Sequence, residues 1–498
     1  MHIELNRRAG APLAEQIARA FEDRIESGLL QPGEKLPSVR ALARLLGVSL
    51  VTASKGYAAL EASGAIRCVQ GKGCFVSRAA GAGDAGGGAP AAAADPFAWQ
   101  HAVPDYLPRA QLWHYYQNVP ARHQLHLSAI QRELLPSKDI MKQVQSLMSE
   151  DHALLTTYGS FQGDDDLRGA VAGLLGKAGV RTSAADMLIS SGAQQGIDLV
   201  ARTFVGPGDV VVVEAPTYNG ALDVFASRGA RIVSIPVDAD GMDVGLLARV
   251  CDRARPKLIY TVPTYHNPTG ATMSARRRKQ LYELAEAIDC LVLEDDPYSD
   301  MYFHRPPPPA IKSFDRTGHI VYIKSYSKLL APGCRIAAVV ASGTVLSRLV
   351  AAKTAADLGS PLLTQKAIYA YLASNRFDAY ARSIRAVLSE RCALAESLLR
   401  RHAPKTAAWA SPQGGLHLWV ALPDGCDDRA LTLAAQREDI AILPGSVCYP
   451  ADASHRHIRL CFSYMPEAAL RESLARLGRL MRETTSQTQA NTQTHTQT

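Results

Sequence analysis

Residues 79–94 read A-A-G-A-G-D-A-G-G-G-A-P-A-A-A-A. Nothing in this run is large enough to bury, and it follows neither a helical nor a strand period. Such a run behaves as a flexible connector rather than as part of a core. A chain interrupted in this way cannot fold around a single core. At 498 residues it is also longer than one ordinary domain, so two or three domains are expected. The connector is expected over 79–122, although Trp99, Tyr106, Trp113, Tyr115 and Tyr116 suggest that its second part docks on a surface. The boundaries expected are 1–78 for a small domain, 123–485 for a large one, and 486–498 for a polar, disordered tail rich in Gln and Thr.

Composition excludes several classes. Hydrophobic residues make up 47% and charged residues 20%, which describes a globular chain with ample core. The nine cysteines form no C-x-x-C pair and are odd in number, so free thiols are expected rather than a disulfide framework or a metal site. The start M-H-I-E-L-N-R-R has no apolar leader, and no apolar run approaches the roughly 18 residues of a membrane span. A soluble, cytoplasmic protein without a bound metal is expected.

Before the connector the reading is helical. Leu13, Ile17, Phe21 and Ile25 recur at four-residue steps. Ser38 can cap a second helix that Gly47 stops, and Ser49 can cap a third that Gly64 stops. Two helices joined by so short a turn form a helix-turn-helix. The segment A-I-R-C-V-Q-G-K-G-C-F-V-S then alternates about Gly-Lys-Gly as a hairpin, which completes a winged helix. Residues 1–78 hold 11 basic and 7 acidic side chains, a net of +4 out of the chain's +7. A recognition helix meets base edges with its first turn, here Ser49, Leu50, Val51, Thr52 and Ser54, followed by Lys55. Arg40 on the second helix and Lys72 at the wing tip are placed to clamp phosphates of a double-stranded operator.

After the connector, strand-like runs (D-V-V-V-V-E, K-L-I-Y-T-V, C-L-V-L-E-D, H-I-V-Y-I-K) alternate with helical stretches, which implies an α/β domain with a mainly parallel or mixed sheet. Chemistry-bearing motifs follow the strands. S-S-G-A-Q-Q-G, residues 190–196, opens a helix with small residues, making that helix start an anion seat. Next come Tyr218 in E-A-P-T-Y-N-G, Asn267 in Y-H-N-P-T-G, and Asp295 with Tyr298 in L-E-D-D-P-Y. Ser325, Ser327, Lys328 and Arg335 lie in S-Y-S-K-L-L-A-P-G-C-R. An anion seat, an aromatic face, an amide, a carboxylate, a phenol, a lysine and an arginine at strand ends together suit one cofactor, pyridoxal 5′-phosphate.

Two resemblances sharpen these expectations. L-P-S-V-R-A-L-A-R-L-L-G-V-S-L-V-T-A-S-K-G-Y-A-A-L-E-A-S-G, residues 36–64, resembles the GntR family of winged-helix regulators, except that Leu50 stands where the family usually carries Arg. Residues from about 123 to 480 resemble the fold-type I aminotransferases of class I. That resemblance implies Lys328 as the Schiff-base lysine, Asp295 on the pyridine nitrogen, Asn267 and Tyr298 on O3′, and Tyr218 on the ring. It implies Gly192, Ala193, Gln194, Ser325, Ser327 and Arg335 on the phosphate, and Arg459 in H-I-R-L-C-F-S on a ligand carboxylate. Tyr158, in T-Y-G-S-F-Q-G, resembles a tyrosine that reaches the phosphate held by a second subunit, which implies a homodimer. A winged helix joined to such a domain resembles the MocR subfamily of transcriptional regulators. The implied function is regulation of transcription by a domain that senses an amine, an amino acid or pyridoxal phosphate itself through Schiff-base chemistry. The alternative is a working aminotransferase that carries a DNA-binding domain.

Overall fold

The computed structural model describes residues 12–26, 30, 33–69, 73–77, 119–450 and 456–494, apart from a few side chains within them. The chain divides into two compact units, residues 1–108 and 109–498. The connector expected from residue 79 lies outside the described residues up to 118.

In the first unit, α1 (Leu13–Glu26) buries Ile17 and Phe21 completely, as the four-residue spacing requires. Ser38 caps α2 (Val39–Leu46), its Oγ accepting the Ala41 N–H at 3.2 Å, and Gly47 ends that helix with φ at 60°. Ser49 caps α3 (Leu50–Ala62) in the same way through the Thr52 N–H at 3.1 Å. Tyr57 of α3 packs edge-on against Phe21 and donates its hydroxyl to the Pro37 carbonyl at 2.8 Å. Gly56 lets α1 and α3 approach, because a Cβ there would stand 2.8 Å from Ile17 Cγ2. β1 (Ile66–Val69) and β2 (Gly73–Val76) pair antiparallel as the wing.

The wing corrects one expectation. Cys68 and Cys74 are joined in a disulfide, whereas all nine cysteines were expected as free thiols. Strand register is the reason. It sets the two residues directly opposite each other with Cα atoms 3.9 Å apart, a proximity that sequence spacing alone does not reveal. The other seven cysteines are free.

In the second unit a short strand β3 (His123–Gln124) precedes an eight-stranded sheet. Its strands are β4 (Met187–Ser191), β5 (Val210–Ala215), β6 (Arg231–Asp238), β7 (Gly241–Met242), β8 (Leu258–Thr261), β9 (Leu291–Asp296), β10 (Ile320–Ser325) and β11 (Ile336–Val340). The spatial order is β4-β11-β10-β9-β8-β5-β6-β7. Pairing is parallel from β10 through β9, β8 and β5 to β6, while β11 runs antiparallel to both its neighbours. β4, β5, β8, β9 and β10 therefore all point the same way. Both faces of the sheet are covered, which is why its strands read as continuous apolar runs. Val211 and Val213 enter one core with Leu293 and Ile323, and Val212 enters the opposite one with Ile259 and Val292. Beyond the sheet, β12 (His417–Ala421), β14 (Leu443–Pro444) and β15 (His457–Cys461) form a small antiparallel sheet, and β13 (Ile440–Ala441) pairs with β3.

The tail corrects a second expectation. The last helix runs from Glu467 to Thr494, through most of the segment 486–498 expected to be disordered. Adding residues to an existing helix is far easier than nucleating one, so a polar run can continue a helix that Leu470, Leu474 and Leu477 anchor in the core.

Candidate functional site

The carboxyl ends of the co-directional strands surround a cavity of about 370 Å³. Ala193, Gln194, Tyr218, Asn267, Asp295, Tyr298, Ser325, Ser327, Lys328, Arg335 and Arg459 all line it. Gly192 adjoins it as the N-cap of the helix Ala193–Phe204, with φ at 81°, a conformation that suits glycine. A Cβ at Gly192 would collide with the Arg335 guanidinium, which donates to Ser327 Oγ at 3.2 Å and to the Ser191 carbonyl at 3.3 Å. One end of the cavity thus collects a helix N-terminus, two serine hydroxyls and an arginine. This is a seat for a phosphate dianion.

The opposite side is built by strand alternation. Of three consecutive acids on β9, only the middle one lines the cavity. Glu294 accepts the Ile311 and Lys312 N–H groups, and Asp296 is ion-paired with buried Lys324 at 3.3 Å. Asp295 Oδ2 accepts the Tyr260 hydroxyl at 2.9 Å, while its Oδ1 is buried with no partner among the described residues. Burial, opposed by the Tyr260 bond, pushes the Asp295 carboxyl up to about 7. Tyr218 extends across the cavity to Gln194, its hydroxyl donating to Oε1 at 3.0 Å.

Lys328 lies between these two ends. Its Nζ donates to the Ser128 carbonyl at 2.6 Å. Burial, aided by the nearby charges of Arg459 and Arg335, brings the amine down to about 8. Arg459 is 1% exposed and donates from Nη1 to Asn267 Oδ1 at 2.9 Å and from Nη2 to the His126 carbonyl, leaving its Nε without a partner among the described residues.

Three contributors to the pocket carried no motif. Ser128 meets both Lys328 and the Tyr298 hydroxyl, the latter at 3.1 Å. Tyr260 holds Asp295, and the alternation of β8 is the one signal that could have marked it. His417 packs edge-on against Tyr298 with ring centroids 5.5 Å apart, and neither of its nitrogens has a hydrogen-bond partner among the described residues. Burial and the charges of Arg459 and Lys328 hold its imidazole neutral, well below the usual histidine range. Tyr158 is not part of the cavity; it is 83% exposed on the surface of the second unit.

On the first unit, Ser49, Leu50, Val51, Ser54 and Lys55 are exposed at the start of α3, and Thr52 is half-buried. Arg40 lies on α2, but its side chain is outside the described residues, as is Lys72.

The cavity fits pyridoxal phosphate on its own terms. The orphaned Asp295 Oδ1 awaits a hydrogen-bond donor such as a ring N–H, the amine is partly deprotonated, and the phosphate seat lies at the far end. Comparison with known proteins agrees. Residues 122–477 match the family described as aminotransferase class I and II, and residues 13–76 match the bacterial regulatory proteins of the gntR family. An aromatic-amino-acid aminotransferase of Thermococcus litoralis is 32% identical over 70% of this chain and 86% of its own length. The HTH-type transcriptional regulator TauR of Rhodobacter capsulatus is 30% identical over 94% of this chain and 96% of its own. Among solved structures, the α-aminoadipate aminotransferase LysN of Thermus thermophilus, complexed with a phosphopyridoxyl-leucine, superposes with a TM-score of 0.73 at 28% identity, covering 78% of this chain and 99% of that one. With a gntR-family winged helix joined to an aminotransferase-type domain, the chain belongs to the class I and II aminotransferase family, and it shares with HTH-type transcriptional regulators such as TauR the two-domain architecture expected of the MocR subfamily.

Proposed function

We propose that this protein regulates transcription in response to a small amine or amino acid that its pyridoxal-phosphate pocket recognises. One observation supports this reading above the others: a DNA-binding module shares one chain with a pocket lined by Gln194, Tyr218, Asn267, Asp295, Lys328 and Arg335, the residues expected to hold the cofactor within one subunit. A purely metabolic enzyme has no use for the first. Bound pyridoxal phosphate supplies an aldehyde that primary amines condense with and a ring that accepts electrons.

The chain's own residues do the rest. The Gly192–Gln194 helix start, Ser325, Ser327 and Arg335 would hold the phosphate. Asp295 would keep a proton on the ring nitrogen, Asn267 and Tyr298 would meet O3′, and Tyr218 would cover the ring. Lys328 Nζ would give up its proton and hold the cofactor until an incoming amine displaces it. Arg459, whose buried Nε–H has no partner among the described residues, would orient a carboxylate on that amine. The change in occupancy at Lys328 alters DNA affinity only to the extent that the ligand favours one arrangement of the protein over another.

The test is operator binding by the full chain with pyridoxal phosphate and a panel of amines and amino acids. A shift in affinity with at least one carboxylate-bearing amine is expected; unchanged affinity across the panel overturns the proposal. The depressed amine of Lys328 also favours a second reading, a working aminotransferase. Sustained turnover of an amino acid with a keto-acid acceptor would establish that reading.

A homodimer is part of the same proposal. Leu155, Tyr158, Phe161 and Leu358 are large, exposed and apolar, and they belong to neighbouring segments: the backbone of Phe161 lies beside Gly359. A patch of this kind on the second unit suits a second copy of the chain.

A further inference from the structure

The outward face of α3 has an unexpected composition. Leu50 is 51% exposed and Val51 is 64% exposed; among the described residues they are the large apolar side chains that the first unit leaves in solvent. Both sit in the first turn of the recognition helix. They cannot rotate inward, because the opposite face of α3 is committed. Ala53, Tyr57 and Leu60 are buried, and Gly56 sits so close to Ile17 of α1 that even a methyl group would collide. The rotation of the helix about its axis is thereby set.

The polar groups of the same turn are partly occupied by the helix itself. Ser49 Oγ accepts the Thr52 N–H and lies 2.8 Å from Thr52 Oγ1. What this turn offers to a partner is therefore mainly two branched aliphatic side chains, with Ser54 and Lys55 exposed behind them.

A DNA major groove displays hydrogen-bond donors and acceptors at every base pair, but only one apolar group, the C5-methyl of thymine. An arginine at this position would take guanine O6 and N7; leucine has nothing to donate. We infer that Leu50 and Val51 read thymine methyl groups, so that the operator carries A·T or T·A pairs under the start of α3. This rests on the gntR-type module being the DNA-binding end of the chain, and it adds which bases that module selects.

The test begins with selection of duplexes from a random pool by the full-length protein loaded with pyridoxal phosphate, at fixed salt. Recurring A·T pairs at fixed positions of the selected site are expected. Each thymine of the selected site is then replaced by deoxyuridine, which removes only the methyl. Binding should weaken about fourfold per contacted methyl, the effect of exposing one apolar carbon group. Leu50→Ala, at an exposed position that leaves the fold intact, should erase the thymine-over-uracil preference at one position, and Leu50→Arg should shift selection there to guanine.

An enriched site with G·C at these positions, or equal binding of thymine and uracil duplexes by the unaltered protein, overturns the inference while leaving DNA binding standing. Failure to enrich any sequence overturns both. If Leu50→Ala changes self-association in sedimentation but not the selected bases, the patch docks protein and the inference falls.

Discussion

Lys328 shows how burial adjusts one side chain. Its amine is brought to about 8, first by burial and then by repulsion from Arg459 and Arg335. Only the neutral amine can attack an aldehyde, and its fraction grows about tenfold per pH unit below the pKa. The rate of cofactor capture by the apo protein should therefore rise between pH 6 and 8 and level off above about 8, as followed by stopped-flow absorbance. Replacing Arg459 with Met removes a repelling charge, so the plateau should move to higher pH. Asp295 works in the opposite sense. Burial holds its carboxyl up to about 7, and a donor at Oδ1 would favour its ionised form. Asp295→Asn loses a hydrogen bond to a charged group, a change of about 1.5–3 kcal/mol. The cofactor dissociation constant should rise about 10- to 150-fold in equilibrium dialysis, while borohydride treatment should still leave a pyridoxyl label on the peptide carrying Lys328.

At the scale of elements, the two exposed contributions of α3 separate by what they read. Lys55 carries charge but no base information if it meets a phosphate, whereas Leu50 carries the reverse. Lys55→Ala should weaken binding to every duplex alike and flatten the log-affinity against log-salt slope by about 0.9, the counterion equivalent of one phosphate. A changed base preference with an unchanged slope would place Lys55 on a base edge instead. α1, α2 and α3 were legible in the sequence because each follows a local rule: apolar residues at four-residue steps in α1, and a serine before the start with a glycine after the end in α2 and α3. The strand-end motifs were legible for a similar reason, since E-D-D after an apolar run can present only alternate residues to one side. Other features depend on register between distant segments, to which a one-dimensional pattern is blind. Cys68 meets Cys74 through hairpin pairing, Tyr260 meets Asp295 across neighbouring strands, and Ser128 reaches Lys328 from 200 residues away. His417 belongs to the same group. Its strand β12 reads as ordinary core, and only the fold brings the ring against Tyr298.

For the whole molecule, the question is whether one chain suffices to bind an operator. A single winged helix contacts one half-site, and phosphate contacts alone give weak, salt-sensitive binding. Coupling two such modules in one particle raises the local concentration of the second, which can strengthen binding about 10²- to 10⁴-fold without any new contact to DNA. The apolar patch of Leu155, Tyr158, Phe161 and Leu358 lies on the second unit, remote in sequence from α3. Leu155 is 63% exposed, so Leu155→Asp adds a charge to the surface without disturbing the core. If the patch joins two copies, that charge has to be buried unpaired at the interface, and the variant should sediment as a monomer. Its affinity for a full operator should fall by about two orders of magnitude or more, while its affinity for an isolated half-site stays that of the unaltered protein. A variant that remains dimeric would place the subunit contact elsewhere. A monomer that still binds the full operator at full strength would show that one winged helix per operator is enough.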